Sequence, residues 1–408
     1  MARTRGKQRI LVLGGGYAGM AAAARVAGAG APVEVTLVDA RPEFTQRIRL
    51  HEALAGSPPA AFAYAPLLAR RGVRFVRGRV EGIDPAAGRA VGRGADGERL
   101  ALGYDRLVVA LGSVTAAPVP GVAEHVLRLD DPRLIGEAAA RLGRMAAERG
   151  RVLVAGGGLT GIETAAELAE RFPGLRVTLA TLGRVGDGYS AAGRAHIRGR
   201  LAGLGVELAE ETGVRALERG RAVLDGGGEL PFDLCVWAGG FAPPALAREA
   251  GLAVDGCGRI RVDSTLHALD RPEILAAGDA AAIPFGGDAV RMGCVSALPS
   301  GAHAGASLRR ELEGREPEPF DFGFVIRCVS LGRRDALIQF TRPDDAPRDR
   351  VWTGRPAVLT KEMICRMTFF VARNEMRTGF PLYRWPRGGG VTPRPAEAAP
   401  ALALEGPR

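Results

Sequence analysis

Residues 9–19, Arg9-Ile-Leu-Val-Leu-Gly-Gly-Gly-Tyr-Ala-Gly19, run from an apolar strand pattern straight into a glycine turn. Gly14, Gly16 and Gly19 fall on the G-x-G-x-x-G spacing. The first glycine permits a tight turn, the second lets backbone approach a pyrophosphate, and the third brings a helix close to the strand. The helix expected next is Ala-rich, from Met20 to Ala29. Its N-terminus offers free N–H groups and a positive dipole end. A second apolar strand, Val33-Glu-Val-Thr-Leu-Val38, then ends at Asp39, twenty residues beyond Gly19. A carboxylate at that distance can accept hydrogen bonds from a ribose hydroxyl.

The same theme returns at Arg151-Val-Leu-Val-Ala-Gly-Gly-Gly-Leu-Thr-Gly161, with Gly156, Gly158 and Gly161 on the same spacing. A helix from Ile162 to Arg171 and a strand Arg176-Val-Thr-Leu-Ala180 follow. Downstream, Tyr104-Asp-Arg-Leu-Val-Val-Ala-Leu-Gly112 is mirrored by Phe232-Asp-Leu-Cys-Val-Trp-Ala-Gly-Gly240. A whole dinucleotide-binding unit is repeated. Two dinucleotides in one chain imply hydride or electron transfer between them. The copies differ where the acid should be, because copy two carries Thr181 with Arg184 close by. A neutral residue there does not repel a 2′-phosphate, so NADPH is expected to be taken at least as well as NADH.

At 408 residues the chain can form two or three domains. The first nine residues are polar and basic, so no signal peptide is expected, nor does any run of eighteen apolar residues announce a membrane span. Location is therefore expected to be cytoplasmic. The formal net charge of +10 is spread over scattered arginines, with only Lys7 and Lys361 as lysines. Scatter of this kind argues for compositional bias over nucleic-acid binding. Cys235, Cys257, Cys294, Cys328 and Cys365 show no C-x-x-C, and the five histidines show no ligand spacing, so no metal is expected.

Between the copies and beyond them, several residues are singled out. Arg47 and Arg49 sit on a short helix implied by Ile48, Leu50 and Leu54, where either can approach phosphate. His51 has the chemistry to handle a proton. Short alternating strands are expected from Val73 to Val80, Arg89 to Val91 and Arg99 to Leu102, with a linker at Pro118, Pro120 and Gly121. Asp131-Pro132 reads as the start of a helix. Glu163, on the first turn of the copy-two helix, either complements the dipole or faces the cofactor cleft. Ile274-Leu-Ala-Ala-Gly-Asp279 places Asp279 at a strand end, where it can bind hydroxyls or cap a turn. A helix is expected from Ser300 to Leu312. Met363, Ile364, Met367, Phe370 and Val371 make an apolar stripe flanked by Lys361, Arg366, Arg373 and Arg377. That pattern suits core or dimer packing, with a membrane-surface helix as the alternative. The Pro/Ala/Gly-rich tail from residue 388 is expected to be disordered.

Gly14-Gly-Gly-Tyr-Ala-Gly19 with Asp39, Ala110-Leu-Gly112, Gly156-Gly-Gly-Leu-Thr-Gly161 with Glu163, and Ala277-Gly-Asp279 together resemble the FAD-dependent pyridine nucleotide oxidoreductases. The likeness spans roughly Gln8 to Glu313. It implies an α/β fold: two Rossmann-like dinucleotide-binding domains, the FAD domain interrupted by the NAD(P) domain, plus a small C-terminal α+β region. The expected boundaries are 1–118 and 246–316 for the FAD domain, 119–245 for the NAD(P)H domain, 317–387 for an acceptor or interface region, and 388–408 for the tail. FAD is expected against Gly14, Gly15, Gly16, Tyr17, Ala18, Gly19, Asp39, Ala40, Arg41, Arg49, Val80, Ala110, Leu111, Gly112, Gly278 and Asp279. NAD(P)H is expected against Gly156, Gly158, Leu159, Thr160, Gly161, Thr181, Arg184, Ala238 and Gly239.

Within that family the chain is most similar to type II NADH dehydrogenases, which pass electrons from NADH through FAD to quinone. Glu163 matches their nicotinamide-side glutamate, which makes it the candidate catalytic residue, and Leu50-His-Glu-Ala-Leu-Ala-Gly56 is similar to a segment after their FAD acid. Where a glutamine-rich quinone-side motif is expected, the chain has Cys294-Val-Ser-Ala-Leu-Pro-Ser-Gly301. Widely separated cysteines speak against disulfide-reductase and sulfide:quinone chemistry. The implied partner is a quinone-like small molecule. The alternatives are a small electron-carrier protein, as in ferredoxin or rubredoxin reductases, and a non-enzymatic NAD(P)H-binding redox sensor. Peripheral attachment to the inner face of the cell membrane and a homodimer stay open.

Overall fold

Buried on both faces, Ile10, Leu11, Val12 and Leu13 form the centre of the largest sheet. The structure, a computed structural model, describes residues 7–28, 30, 32–116, 119–130 and 132–388. A continuous apolar run suits a central parallel strand, which has helices on both sides. The strand Gln8–Leu13 pairs in parallel with Val33–Asp39 and with Arg106–Val109. Arg271–Ala276 extends the sheet on one side and Arg74–Asp84 on the other. Arg89–Gly94 and Arg99–Gly103 close it as an antiparallel meander. Two strands of this sheet, Arg271–Ala276 and the short His267–Ala268 paired to it at the edge, thus come from residues beyond the second glycine unit.

That second unit builds its own parallel sheet, in the order Leu127–Arg128, Leu234–Trp237, Arg151–Ala155, Arg176–Ala180, Glu207–Ala209. A three-stranded meander, Val214–Glu218, Arg221–Leu224 and Glu229–Pro231, lies beside it. The α/β architecture with two dinucleotide-binding units is as expected.

Some element boundaries differ. The first helix runs Tyr17–Val26, ending before Ala29, which lies outside the described residues. The second-unit helix begins at Leu159. The helix expected from Ser300 begins at Cys294 and carries Pro299 inside. Pro299 is the sixth residue of this helix, past the first turn, and leaves the Val295 carbonyl without its helical amide donor. This helix packs closely on the opening one: a Cβ on Gly301 would collide with the Ala18 carbonyl, and one on Gly305 would reach to 2.5 Å of the Ala22 carbonyl oxygen. The sequence reading passed over the helix Ala191–Gly203 and the strand Pro347–Thr353. Asp131, Pro118 and residues 389–408 of the expected tail lie outside the described residues.

From residue 326 a three-stranded antiparallel sheet, Ile326–Ser330, Ala336–Thr341 and Pro347–Thr353, leads into a long helix, Gly354–Thr378. Val371 and Met376 of that helix join the core of the first unit. Leu50 and Leu54, from the first unit, join the core of the second, beside Ile162 and Ala166. These crossings fix the three parts around one cleft.

Candidate active site

The two glycine turns have the same geometry. Gly14 adopts φ +96° and Gly156 φ +121°, a region that favours glycine. A Cβ on Gly14 would collide with the Ala110 carbonyl, and one on Gly156 with that of Ala238. The middle glycines behave differently. Gly16 and Gly158 have ordinary φ values, −67° and −70°, and no atom lies within 4 Å of where a Cβ would stand. Neither the backbone nor a protein neighbour requires glycine there. Both line one cavity of about 1030 Å³, so the open space beside each is shaped for a group that the protein does not supply.

Of the residues expected at the first turn, Gly16, Tyr17, Ala18, Arg41, Ala110, Gly112, Gly278 and Asp279 line this cavity. Gly14, Gly15, Gly19, Asp39, Ala40 and Leu111 do not, and several of them support the turn from behind. The Asp39 carboxylate accepts the Gly15 amide at 2.7 Å and the Arg41 amide at 2.9 Å. Tyr64 seals the turn by donating to the Gly15 carbonyl oxygen at 2.8 Å. Val80 stands in the sheet opposite Gly92, away from the cavity lining.

Arg49 was expected at phosphate, and the structure gives it other partners. Its guanidinium pairs with Glu52 at 3.0 Å and Glu362 at 2.6 Å. Arg47 takes the place facing the cavity instead. It has no ion pair among the described residues, and its terminal nitrogen approaches Gly112. Burial, helped by the neighbouring Arg41 charge, lowers its pKa. A guanidinium held this way favours an anion beside it. The two arginines lie two positions apart on a single 3₁₀ turn, and the sequence could not tell which faced inward.

Asp279 sits between Ser113, whose hydroxyl donates to it at 2.7 Å, and the Gly293 amide at 2.8 Å. Gly293 begins the helix Cys294–Leu312, so the helix N-terminus faces the same wall. Its dipole favours negative charge there.

At the second turn, Gly156, Gly158, Leu159, Thr160, Glu163, Thr181, Ala238 and Gly239 line the cavity, with Gly161 behind. Thr181 lies over the turn, since a Cβ on Gly157 would stand 2.5 Å from its hydroxyl. Arg184 is off the lining and pairs with Glu211 at 3.0 Å.

Glu163 is buried at the junction of all three parts. One carboxylate oxygen accepts the Ser330 amide at 2.9 Å and the Lys361 ammonium. The other lies 3.9 Å from His51 Nδ1. Burial lowers Lys361 to about 8. Burial and the charges of Lys361, Arg333 and Arg49 hold His51 well below its usual value. Arg333 closes the cluster by reaching Glu52 at 2.9 Å and Glu167 at 2.8 Å. Lys361 was read only as a flank of the apolar stripe. One signal was available: lysine is used twice among 55 basic residues, and one of the two is here.

The lining also carries Val295, Leu298, Ile326, Cys328, Ile364 and Met367, an apolar set interrupted by Arg291 and Arg327. The apolar stripe of the long helix divides. Val371 is buried, whereas Met363, Met367 and Phe370 are 63, 41 and 56% exposed. No helix among the described residues is long and apolar enough to cross a membrane. No cluster of metal-ligating side chains occurs among them.

Residues 8–303 match the family model described as pyridine nucleotide-disulphide oxidoreductase. A Mycobacterium tuberculosis protein named NADH dehydrogenase-like is 30% identical over 95% of this chain and all of its own length. A Staphylococcus aureus type II NADH:quinone oxidoreductase is 26% identical, covering 83% of this chain and 91% of its own. The solved structure of NDH2 from Plasmodium falciparum in complex with NADH superposes with a TM-score of 0.77, at 13% identity, over 93% of this chain and all of that one. The match spans both glycine units and the strand that returns to the first sheet. The chain belongs to the pyridine nucleotide-disulphide oxidoreductase family and is an oxidoreductase that works with FAD and NAD(P)H.

Proposed function

We propose that the chain is an NAD(P)H:quinone oxidoreductase of the type II kind, with FAD in the first cradle and NAD(P)H in the second. The observation that carries this is the single cavity, which both middle glycines, Glu163 and an apolar wall of the C-terminal part share. An apolar planar acceptor suits that wall, and a small acidic carrier protein does not need it. We assign residues 1–118 and 246–316 to the FAD domain, 119–245 to the NAD(P)H domain and 317–387 to the acceptor region.

FAD, when bound, takes a hydride from NAD(P)H and releases electrons to the acceptor. The chain itself binds, orients and excludes water. Gly16 and Gly158 let backbone amides meet the diphosphates. Arg47 balances phosphate charge, and Asp279 accepts hydroxyls of the flavin side chain. Glu163, fixed by Lys361 and the Ser330 amide, orients the nicotinamide amide.

We also assign the exposed stripe to the inner surface of the cell membrane, where quinones reside. Leu359, Met363, Phe370 and Phe380 are 70, 63, 56 and 71% exposed, and Met367 belongs to both the stripe and the cavity wall. Arg366, Arg373 and Arg377 on the same helix suit anionic headgroups. Flotation with phosphatidylglycerol vesicles tests this assignment. A chain that sediments as a dimer and ignores vesicles would give the stripe to a second copy instead.

The central test is anaerobic stopped flow of the yellow protein with NADH, NADPH and then menadione. Fast bleaching followed by fast reoxidation is expected. Bleaching with reoxidation only by ferredoxin or rubredoxin would overturn the quinone assignment. Tight nucleotide binding without turnover would point to a sensor.

A further inference from the structure

The end of the second sheet lacks the acid that normally reads the ribose of NADH, since Thr181 stands there. Taken alone, Thr181 with Arg184 nearby favours a 2′-phosphate. The structure puts carboxylates at this mouth from elsewhere. Arg184 does not line the cavity. Its guanidinium is turned to Glu211, with Nε and Nη2 each 3.0 Å from one carboxylate oxygen. Its own amide is tied to Asp187 at 3.0 Å. Glu211 has φ +51°, a left-handed conformation that glutamate rarely adopts. Its amide donates to the Gly183 carbonyl oxygen at 3.0 Å, which holds it against the loop that carries Arg184. Across the mouth, Asp225 lines the cavity beside Thr181, Leu182 and Gly213. The Asp225 side chain forms no ion pair among the described residues, so its charge faces the mouth uncompensated. Arg194 and Arg198, the next cations along the chain, are bound to Asp187 and Glu210.

We propose that Glu211 and Asp225 make this chain choose NADH over NADPH: Glu211 withholds Arg184 from a 2′-phosphate, and Asp225 repels one. This rests on the reading that the second cradle holds the nicotinamide nucleotide. It moves discrimination from the strand end to two facing loops. A free 2′-hydroxyl tolerates nearby carboxylates, whereas a phosphate dianion meets like charge from Glu211 and Asp225, both exposed at this mouth.

The test uses the FAD-loaded protein, with nucleotide Kd from NAD(P)H fluorescence alongside kcat/KM. Wild type should favour NADH by about tenfold or more, and E211Q should improve NADPH by about tenfold while NADH moves less than about twofold. E211Q/R184A should lose that gain, and D225N should improve NADPH independently. An NADPH/NADH ratio unmoved in both E211Q and D225N, or a wild type that already prefers NADPH, overturns the proposal. If neither nucleotide binds the wild type, the nicotinamide assignment of the second cradle falls, and this proposal falls with it. Circular dichroism melts check that each variant is folded.

Discussion

Lys361 donates to Glu163 across 198 residues of chain, joining the long C-terminal helix to the second turn of the second nucleotide helix, one turn further in than the sequence implied. Both side chains are nearly inaccessible, at 12 and 6%. The glutamate is therefore more than a helix-end charge: its position depends on a residue of the C-terminal helix. Removing one partner of such a pair leaves a buried charge alone, at a cost of about 3–5 kcal/mol. K361M is expected to lower the unfolding free energy by that order, and E163Q/K361M to recover much of it. E163Q is expected to weaken kcat more than flavin content, because it loosens nucleotide orientation and leaves the first cradle alone. Urea melts and steady-state kinetics on the three proteins check this. A K361M protein as stable as wild type would remove the pair from the account.

The cradles were legible from sequence because local pattern makes them. A strand, a tight turn and a helix need only neighbouring residues, and the repeat at 151–161 doubled the signal. The junction was not legible. His51, Glu163, Ser330 and Lys361 come from four separate elements, and no spacing rule links them. Arg47 and Arg49 failed for a different reason. On a single turn of 3₁₀ helix, two residues separate facing in from facing out, and the tertiary partners Glu52 and Glu362 decide it. The helix Gly354–Thr378 begins well before the stripe visible in the sequence, because its first two turns bury Ala357 alone, and it packs on the strand Ala336–Thr341.

Glycines within one turn should separate by role. A Cβ on Gly19 would collide with the Gly14 carbonyl, and one on Gly301 with that of Ala18. G19A and G301A are expected to yield little folded protein. Gly16 and Gly158 have room and ordinary φ. Alanine there should leave stability unchanged or raise it by about 0.4–1 kcal/mol through the unfolded chain. G16A should nevertheless purify with less FAD, and G158A should keep FAD and bind NADH more weakly. Absorbance at the flavin band and nucleotide fluorescence separate the two. Unimpaired binding in both would mean that ligands do not approach these turns.

Arg47 and Arg49, two residues apart, should part in the same way. Arg47 faces the cavity without a carboxylate partner, so in the empty protein it is a burden. R47Q is expected to leave the melting temperature of the apoprotein unchanged or raised, and to weaken FAD retention by about tenfold, the worth of one charge-assisted contact to phosphate. Added pyrophosphate should stabilise wild-type apoprotein and lose that effect in R47Q. Arg49 instead neutralises Glu52 and Glu362 between the first unit and the long helix. R49Q leaves Glu52 to Arg333 and Glu362 to Arg366 and breaks the link between the two acids, so it should lower the melting temperature while the folded fraction keeps its flavin. A reversed pattern, with flavin lost in R49Q and kept in R47Q, would return the phosphate role to Arg49.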